Sequence, residues 1–219
     1  MDWAALLLSL QLAFWTCALL LPLAVLLGRW LAWSRLPGKG FVAAIIALPL
    51  VLPPTVLGYY LLMAVGGDSM LGKLYQGAVG RELVFTFDGL LLASLIFNLP
   101  FAVLPLHRAF EAIPGELREA AWCAGMSRLA TFWRIELPLA RPGLVSAVAL
   151  TSAHTLGEFG VVLMMGGNIP GETRTISLAI YDRVQAFDET AAGAMSAVLL
   201  GFSLMAIGLV YRFGDRAGR

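Results

Sequence analysis

The sequence predicts an all-α integral membrane protein whose chain crosses the bilayer about five times. Of its 219 residues, 59% are hydrophobic and only 13% are charged, which is about half of the charged share of a soluble domain. The missing charges fall in blocks, since no Asp, Glu, Lys or Arg occurs in residues 3–28, 40–67, 89–106 or 190–211. Each block matches or exceeds the ~18 to 20 residues that a helix needs to cross ~30 Å of hydrocarbon.

A fifth apolar stretch, residues 142–165, differs from the others because it contains His154 and Glu158. Counting it as a crossing gives five predicted helices, at about residues 4–33, 41–65, 89–110, 143–165 and 190–212. The first block lacks a basic leader and is longer than the apolar core of a signal peptide, so we interpret it as a retained helix. The chain is therefore predicted to be one domain, residues 1–219, with its membrane bundle at about residues 4–212.

The basic residues predict how the bundle is oriented in the membrane. With five crossings the two termini lie on opposite sides, and Lys and Arg are enriched in cytoplasmic loops. One orientation places 11 of the 15 basic residues inside: Arg29, Arg35, Lys39, Arg108, Arg118, Arg128, Arg134, Arg141, Arg212, Arg216 and Arg219. It leaves Lys73, Arg81, Arg174 and Arg183 outside. We therefore expect the N-terminus outside, the C-terminus inside, and a long cytoplasmic segment at residues 111–141.

Composition and motifs argue against several other classes of protein. The net charge of +1, without a basic patch interleaved with aromatic residues, gives no indication of nucleic-acid binding. Residues 67–74 approach the phosphate-binding pattern G-x-x-x-x-G-K-[ST], but Leu74 stands where a hydroxyl should bind magnesium. The two cysteines and two histidines provide no recognisable metal, haem or protease centre. We expect no enzymatic activity, no bound cofactor and no metal in this chain.

Prolines interrupt the second apolar block near its middle. Pro49, Pro53 and Pro54 each remove a backbone donor and disfavour a straight helix, so the second helix is predicted to be broken within the membrane. Packing geometry in a helix bundle is one explanation of such a break. A transport path is the other, because broken helices line the pathways of many transporters.

The segment between the third and fourth predicted spans has the signals of a helix-turn-helix. Pro114 suits the first turn of a helix, Gly125 suits a left-handed turn after it, and Ser127 can cap a second helix. Pro138 is expected to end that second helix before the chain re-enters the membrane. The Ala120–Ala121 pair would then form a small-residue surface that a partner's backbone can approach closely.

The same segment resembles the EAA loop of ABC importer permeases of the type I fold. The matching pattern runs without a gap through Glu119, Ala120, Ala121, Gly125, Ile135, Leu137 and Pro138. The resemblance implies that residues 111–141 contain a coupling helix, which in this family sits in a groove of a separate ATPase subunit. It also implies that two copies of this ATPase, and not the present chain, use ATP and Mg²⁺.

Further stretches are similar to molybdate permeases within this class. Residues 48–59 resemble their second helix, and residues 157–160 and 168–176 resemble their fourth helix and outer loop. Sulfate and thiosulfate permeases share part of this pattern. These relatives usually carry Arg where this chain has His154. The fixed positive charge of the relatives is therefore not expected at this position.

The resemblance implies a function and a set of partners. We expect the permease subunit of an ATP-driven molybdate importer, which works as a homodimer in the lipid of a bacterial inner membrane. Its other partners would be the ATPase and a periplasmic or extracytoplasmic molybdate-binding protein. The alternative within the class is a permease for sulfate, thiosulfate or tungstate. The alternative from another class is a membrane scaffold that does not transport.

Candidate pathway residues come from the broken second helix and the fourth apolar stretch. His154 and Glu158 are four positions apart, which would place both on one helical face. A lone carboxylate at mid-bilayer is costly, so Glu158 either makes a structural hydrogen bond between helices or lines the path. The predicted path comprises Thr55, Tyr59, Thr151, Ser152, His154, Thr155 and Glu158, whose hydroxyl groups suit an oxyanion. The residues expected to contact the binding protein are Asn168, Glu172 and Arg174.

Overall fold

The computed structural model describes residues 1–214, and this range contains helices and no β-strand. In chain order the helices are α1 (Trp3–Trp33), α2 (Lys39–Val51), α3 (Pro54–Val65), α4 (Met70–Val79), α5 (Phe87–Glu111), α6 (Gly115–Cys123), α7 (Arg128–Thr131), a π-helical segment (Phe132–Glu136), α8 (Leu137–Leu139), α9 (Arg141–Gly157), α10 (Gly160–Gly166), α11 (Ile176–Gln185) and α12 (Glu189–Gly214). Arg216 and Arg219, counted in the charge argument, lie outside the described residues.

Among residues 1–214, three single helices, α1, α5 and α12, are long and apolar enough to cross a membrane. Two further crossings are bent pairs, since α2 and α3 meet at 113° and α9 and α10 meet at 61°. With each pair counted as one span, the structure has the five predicted crossings. The break in the second span is confirmed. The prediction of one continuous helix over residues 143–165 is wrong, because the chain leaves helical geometry at Glu158 and Phe159.

Helices α1 and α5 pack side by side and run in the same direction. The Thr16 hydroxyl donates to the Ser94 hydroxyl at 3.1 Å, and about three turns further along Gly28 lies against Leu106 and His107. A Cβ placed on Gly28 would lie 2.9 Å from the His107 backbone nitrogen, so only glycine allows this close approach. Because the two helices are parallel, the chain must return across the membrane between them, and the α2–α3 pair makes that crossing.

Helix α9 runs antiparallel to α5, and α12 runs antiparallel to α9. Gly143, at the start of α9, packs against Ala109 near the end of α5, whereas Glu158 follows α9 beside the middle of α5. Met195, early in α12, shares a buried cluster with Ala5 at the start of α1. The two ends of the bundle therefore carry different elements. We call them the α6 face, which holds α6 to α8, and the α11 face, which holds α4 and α11.

The two segments predicted as outer loops each contain a short helix, α4 and α11. Helix α4 begins at Ser69, whose hydroxyl accepts a hydrogen bond from the Gly72 N–H at 2.9 Å. The Tyr75 hydroxyl donates to the Asp88 carboxylate at 2.6 Å. That bond raises the pKa of Tyr75 above its ordinary value, because losing the proton would place two negative charges together. The Tyr75–Asp88 bond holds α4 against the start of α5.

Candidate functional site

The helix α6 ends in a tight turn that depends on one glycine. Gly125 has a φ of +82°. Its N–H donates to the Trp122 carbonyl at 2.9 Å, and the Met126 N–H donates to the Ala121 carbonyl at 3.0 Å. This pair of bonds is the Schellman arrangement, in which a left-handed residue closes a helix. The Ser127 side chain then caps α7, so the structure contains the helix-turn-helix that the sequence predicted.

Most of the α6 surface is turned away from the bundle. The prediction that Ala120 and Ala121 form one small-residue surface is wrong for Ala121, which is only 5% exposed. Ala121 lies three positions after Arg118, so both side chains share the face that packs inward. The exposed surface of α6 includes Glu116, Glu119, Ala120 and Cys123.

The helix after the turn extends further than predicted. Pro138 does not end it, because Phe132–Glu136 wind as a π-helix and Leu137–Leu139 resume α geometry. The Leu137 N–H bonds to the Phe132 carbonyl, five residues back, and this wider turn accommodates the proline that follows. The helical run ends instead at Ala140, just before α9 begins. Ile135, Leu137 and Pro138 of the predicted coupling pattern are partly buried along this run.

A buried carboxylate that the sequence analysis did not single out lies in the π-helical segment. Glu136 is fully buried. Its two oxygens accept hydrogen bonds from Arg29 at 2.6 and 3.2 Å and from Arg118 at 3.1 Å. The signal available in the sequence was a carboxylate between two large apolar residues, Ile135 and Leu137. We call Arg29, Arg118 and Glu136 the Glu136 cluster.

The second candidate region is a cavity between the two broken spans. Its volume is about 500 Å³, and its lining includes Pro54, Thr55, His154 and Glu158. Gly160, the first residue of α10, packs directly against Pro54, the first residue of α3, so the two breaks meet here. The first turn of α3 borders the cavity, and the positive end of a helix dipole favours an anion.

A chain of buried polar side chains leads from α1 to this cavity. The Ser94 hydroxyl accepts the Thr16 hydrogen bond and donates to Glu158 Oε2 at 3.4 Å. Asn98 Nδ2 donates to the Ser94 carbonyl at 2.9 Å and to its hydroxyl oxygen at 3.1 Å. Glu158 Oε1 is buried and has no hydrogen-bond partner among the described residues. One oxygen of Glu158 is therefore held by the bundle, while the other is buried in the wall of the cavity without a partner in the described part of the chain.

Asn98 also orients His154. Because the amide nitrogen of Asn98 is committed to Ser94, its Oδ1 faces His154 Nδ1 at 2.9 Å, and the ring must donate at Nδ1. The neutral ring then has an acceptor at Nε2. The imidazole stacks on Phe101 with ring centroids 3.8 Å apart. His154 is therefore a fixed polar group at the cavity wall.

Three of the seven predicted path residues, Thr55, His154 and Glu158, meet at the cavity. The prediction that His154 and Glu158 share one helical face is wrong, because α9 ends at Gly157. They are brought together instead by hydrogen bonds to neighbouring residues of α5.

The other four predicted path residues do not line this cavity. Tyr59 is half-exposed on α3, one turn beyond the cavity. Thr151 and Thr155 are buried in α9, where the Thr155 hydroxyl donates to the Thr151 carbonyl at 2.8 Å. The Ser152 hydroxyl faces α1 and lies 3.2 Å from the Cys17 sulfur. The buried hydroxyl oxygen of Thr151 has no partner among the described residues.

The predicted contact residues of the outer loop lie on the α11 face. Arg174 Nε donates to Asn168 Oδ1 at 2.9 Å, and Asn168 Nδ2 donates to both carboxylate oxygens of Asp182 at 3.1 Å. Asn168 has a φ of +59°, which asparagine tolerates better than most residues. Asn168 and Arg174 therefore hold the loop to α11, whereas Glu172 is exposed.

Five spans around a cavity between broken helices, with a capped helix exposed at one face, define a membrane component of a transport system. Residues 21–217 match the family described as binding-protein-dependent transport system inner membrane component, and the chain belongs to this family. It is therefore a multi-pass inner-membrane permease subunit and not an enzyme.

Two relatives of known name are similar to this chain over most of its length. The chain is 45% identical over 210 residues to the molybdenum transport system permease protein ModB of Azotobacter vinelandii, covering 96% of this chain and 93% of the relative. It is 36% identical over 184 residues to the protein of the same name from Escherichia coli K12, covering 84% of this chain and 80% of the relative.

A solved structure supports the fold. The chain is similar to a chain of the MetNI methionine ABC transporter in inward-facing conformations, with a TM-score of 0.69 and 19% identity. The match covers 100% of this chain and 94% of that chain. The predicted ABC importer permease fold is therefore confirmed.

Proposed function

We propose that this chain is the membrane-spanning permease subunit of an ATP-driven importer for molybdate. The observation that carries the proposal is the 45% identity to a molybdenum permease over nearly the whole of both chains. Molybdate is a divalent oxyanion, and a charged group is costly in hydrocarbon, so its import needs a protein path. The fixed polar groups between the broken spans are suited to such a path.

The energy for import comes from a separate ATPase, which binds ATP and Mg²⁺, and this chain binds neither. Helix α6 is the part of the chain that meets the ATPase. Three features support that role: α6 has an exposed surface, a glycine closes its end, and it lies in the chain between the spans α5 and α9. The contact comprises the predicted coupling residues, of which Glu119, Ala120 and Gly125 are exposed. Ala121, Ile135, Leu137 and Pro138 are buried or partly buried and give the segment its shape.

The α11 face is the outer face and the α6 face is the cytoplasmic one, with the N-terminus outside and the C-terminus inside. The 11 to 4 division of the basic residues supports this orientation. Two copies of the chain form a homodimer with two ATPases, because one bundle of five spans is small for a path flanked by two coupling helices. The molybdate-binding protein docks on the α11 face.

A transport assay tests the substrate. The permease and its ATPase are reconstituted in proteoliposomes with ATP on the side of the membrane that carries the ATPase. The binding protein and labelled molybdate are added on the other side, and uptake of the label is measured. We expect ATP-dependent uptake that excess unlabelled molybdate or tungstate inhibits more strongly than sulfate does. Uptake of sulfate in preference to molybdate would show that the substrate is sulfate and that the chain is a sulfate permease. Absence of both ATPase binding and anion uptake would support a scaffold.

The outer loop gives a second prediction, which separates docking from loop structure. We expect Glu172→Lys to weaken stimulation of ATP hydrolysis by the loaded binding protein while leaving the melting temperature unchanged, because Glu172 is exposed. Arg174→Ala should lower the stability by roughly 1 kcal/mol, since its ion pair with Asp182 is only partly buried. ATPase assays and thermal unfolding in detergent measure the two effects. Normal stimulation of the Glu172→Lys complex would exclude this residue from the docking surface.

A further inference from the structure

The Glu136 cluster joins three parts of the chain that are distant in sequence. Arg29 is in the last turns of α1, Arg118 is in the middle of α6, and Glu136 ends the π-helical segment. The carboxylate is fully buried, while the two arginine side chains are 31% and 18% exposed. Hydrogen bonds between ionised groups in a setting of this kind are strong and directional. The cluster therefore fixes the three elements relative to one another.

Aromatic rings reinforce the same junction. The Arg118 guanidinium lies over the Trp33 ring at 3.7 Å from its centroid, and Arg29 lies 5.2 Å from the same centroid. Trp33 is the last residue of α1. Arg118 therefore reaches α1 twice, through the shared carboxylate and through a cation–π contact, both of which stabilise a cation in this position.

Helix α6 has few other attachments to the bundle. Its main packing neighbours are α7 and the π-helical segment, which follow it directly in the chain. Arg118 and Ala121 are the α6 residues that are not exposed. The Arg118 contacts are therefore the direct side-chain link between α6 and the end of α1.

We propose that the Glu136 cluster is the joint that transmits movement of α6 to α1, with Arg118 and Glu136 as positioning residues. A partner that displaces α6 thereby moves α1 and the π-helical segment as one unit. Because α1 packs along α5, the movement reaches Ser94 and Asn98, which hold the polar groups of the cavity. This inference rests on the proposed function, because it assigns the joint to the coupling of ATP hydrolysis to import.

The charge balance of the cluster indicates which variant tests it. Glu136→Gln leaves two partly buried guanidinium groups without their carboxylate, which would destabilise the fold. Arg118→Met leaves Glu136 paired with Arg29 through two hydrogen bonds, so no charge is stranded. Arg108→Met is the matched control, because Arg108 belongs to an exposed ion pair with Glu111 on the same face.

The experiment measures molybdate imported per ATP hydrolysed by the reconstituted complex. For Arg118→Met we expect this ratio to fall at least about fivefold, the lower end of the range for a coupling between two sites. The amount of assembled complex should equal that of the wild type, and Arg108→Met should retain the wild-type ratio.

Two results would overturn the proposal that the Glu136 cluster is this joint. One is an unchanged ratio in Arg118→Met, and the other is loss of complex assembly, which would make Arg118 a docking or folding residue. Failure of the wild type to import molybdate would count against the proposed function instead. The joint is then judged by whether Arg118→Met changes the stimulation of ATP hydrolysis by the binding protein. An unchanged stimulation would overturn it, and a loss of at least about fivefold would support it.

Discussion

Replacing Glu158 with glutamine is expected to reduce ATP-driven molybdate uptake by about tenfold, while the amount of protein in the membrane stays unchanged. The fold uses one oxygen of Glu158 as the acceptor for the Ser94 hydroxyl, and the amide oxygen of glutamine can replace it. The other oxygen is buried at the cavity without a partner among the described residues. Glutamine places an N–H donor there and removes the possibility of negative charge.

With glutamine at this position, we expect the cavity wall to bind an oxyanion more tightly. A transport path must bind its ion weakly enough to release it, so tighter binding slows passage. One added hydrogen bond of about 1.5 kcal/mol corresponds to roughly a tenfold slower release. Uptake by membrane vesicles, normalised to the permease content, measures the effect.

Thr151→Val is the matched control for this prediction. Thr151 was also predicted to lie on the path, but its buried hydroxyl oxygen has no partner within residues 1–214, and Thr151 does not line the cavity. Valine has nearly the same shape as threonine, so uptake should remain at the wild-type level. Equal uptake by Glu158→Gln and the wild type would leave Glu158 with a structural role only. A loss of uptake in Thr151→Val would place the path on another side of α9.

The spans could be predicted from the sequence because length and the absence of charge are sufficient signals. Blocks without charge located α1, α5 and α12 to within a few residues. The break in the second span was also predictable, since prolines act locally. These properties belong to short stretches of sequence and do not depend on the rest of the fold.

The break at Glu158 could not be predicted, because its cause is tertiary. Glycines on either side, Gly157 and Gly160, weaken the helix, but glycine is common in membrane helices that remain continuous. The Glu158 carbonyl accepts a hydrogen bond from the Ser177 hydroxyl, and its carboxylate accepts one from Ser94. Partners 19 and 64 residues away thus satisfy groups that a broken helix exposes.

The same limit applies to the α6 face. The turn at Gly125 was predictable, since a left-handed helix end requires glycine locally. The Glu136 cluster was not, because Arg29 is 107 residues from Glu136 in the chain. The inward orientation of Ala121 was also missed, because α6 is short and its pattern does not show which face packs. Local signals therefore located the candidate coupling helix, and only the fold showed how it is attached.

Replacing Gly125 with valine is expected to reduce transport strongly while leaving the protein in the membrane. A side chain at a φ of +82° costs about 1–2 kcal/mol, and more when it is β-branched. This cost is small against the stability of a whole domain, so the bundle still folds. It is large for one turn, because the two hydrogen bonds that close α6 depend on that φ. The end of α6 therefore opens and its exposed surface is displaced.

Gly115→Val isolates this effect, since Gly115 is the first residue of α6 and lies outside the left-handed region. A Cβ meets no atom within 4 Å at either glycine, so the two variants differ in backbone strain and not in crowding. We expect uptake to fall roughly tenfold or more in Gly125→Val, as a cost of 1–2 kcal/mol in the docking conformation implies, and to change little in Gly115→Val. Uptake and co-purification of the ATPase measure both. Normal uptake by Gly125→Val would show that the left-handed turn is not needed for coupling, and α6 would lose its assigned role.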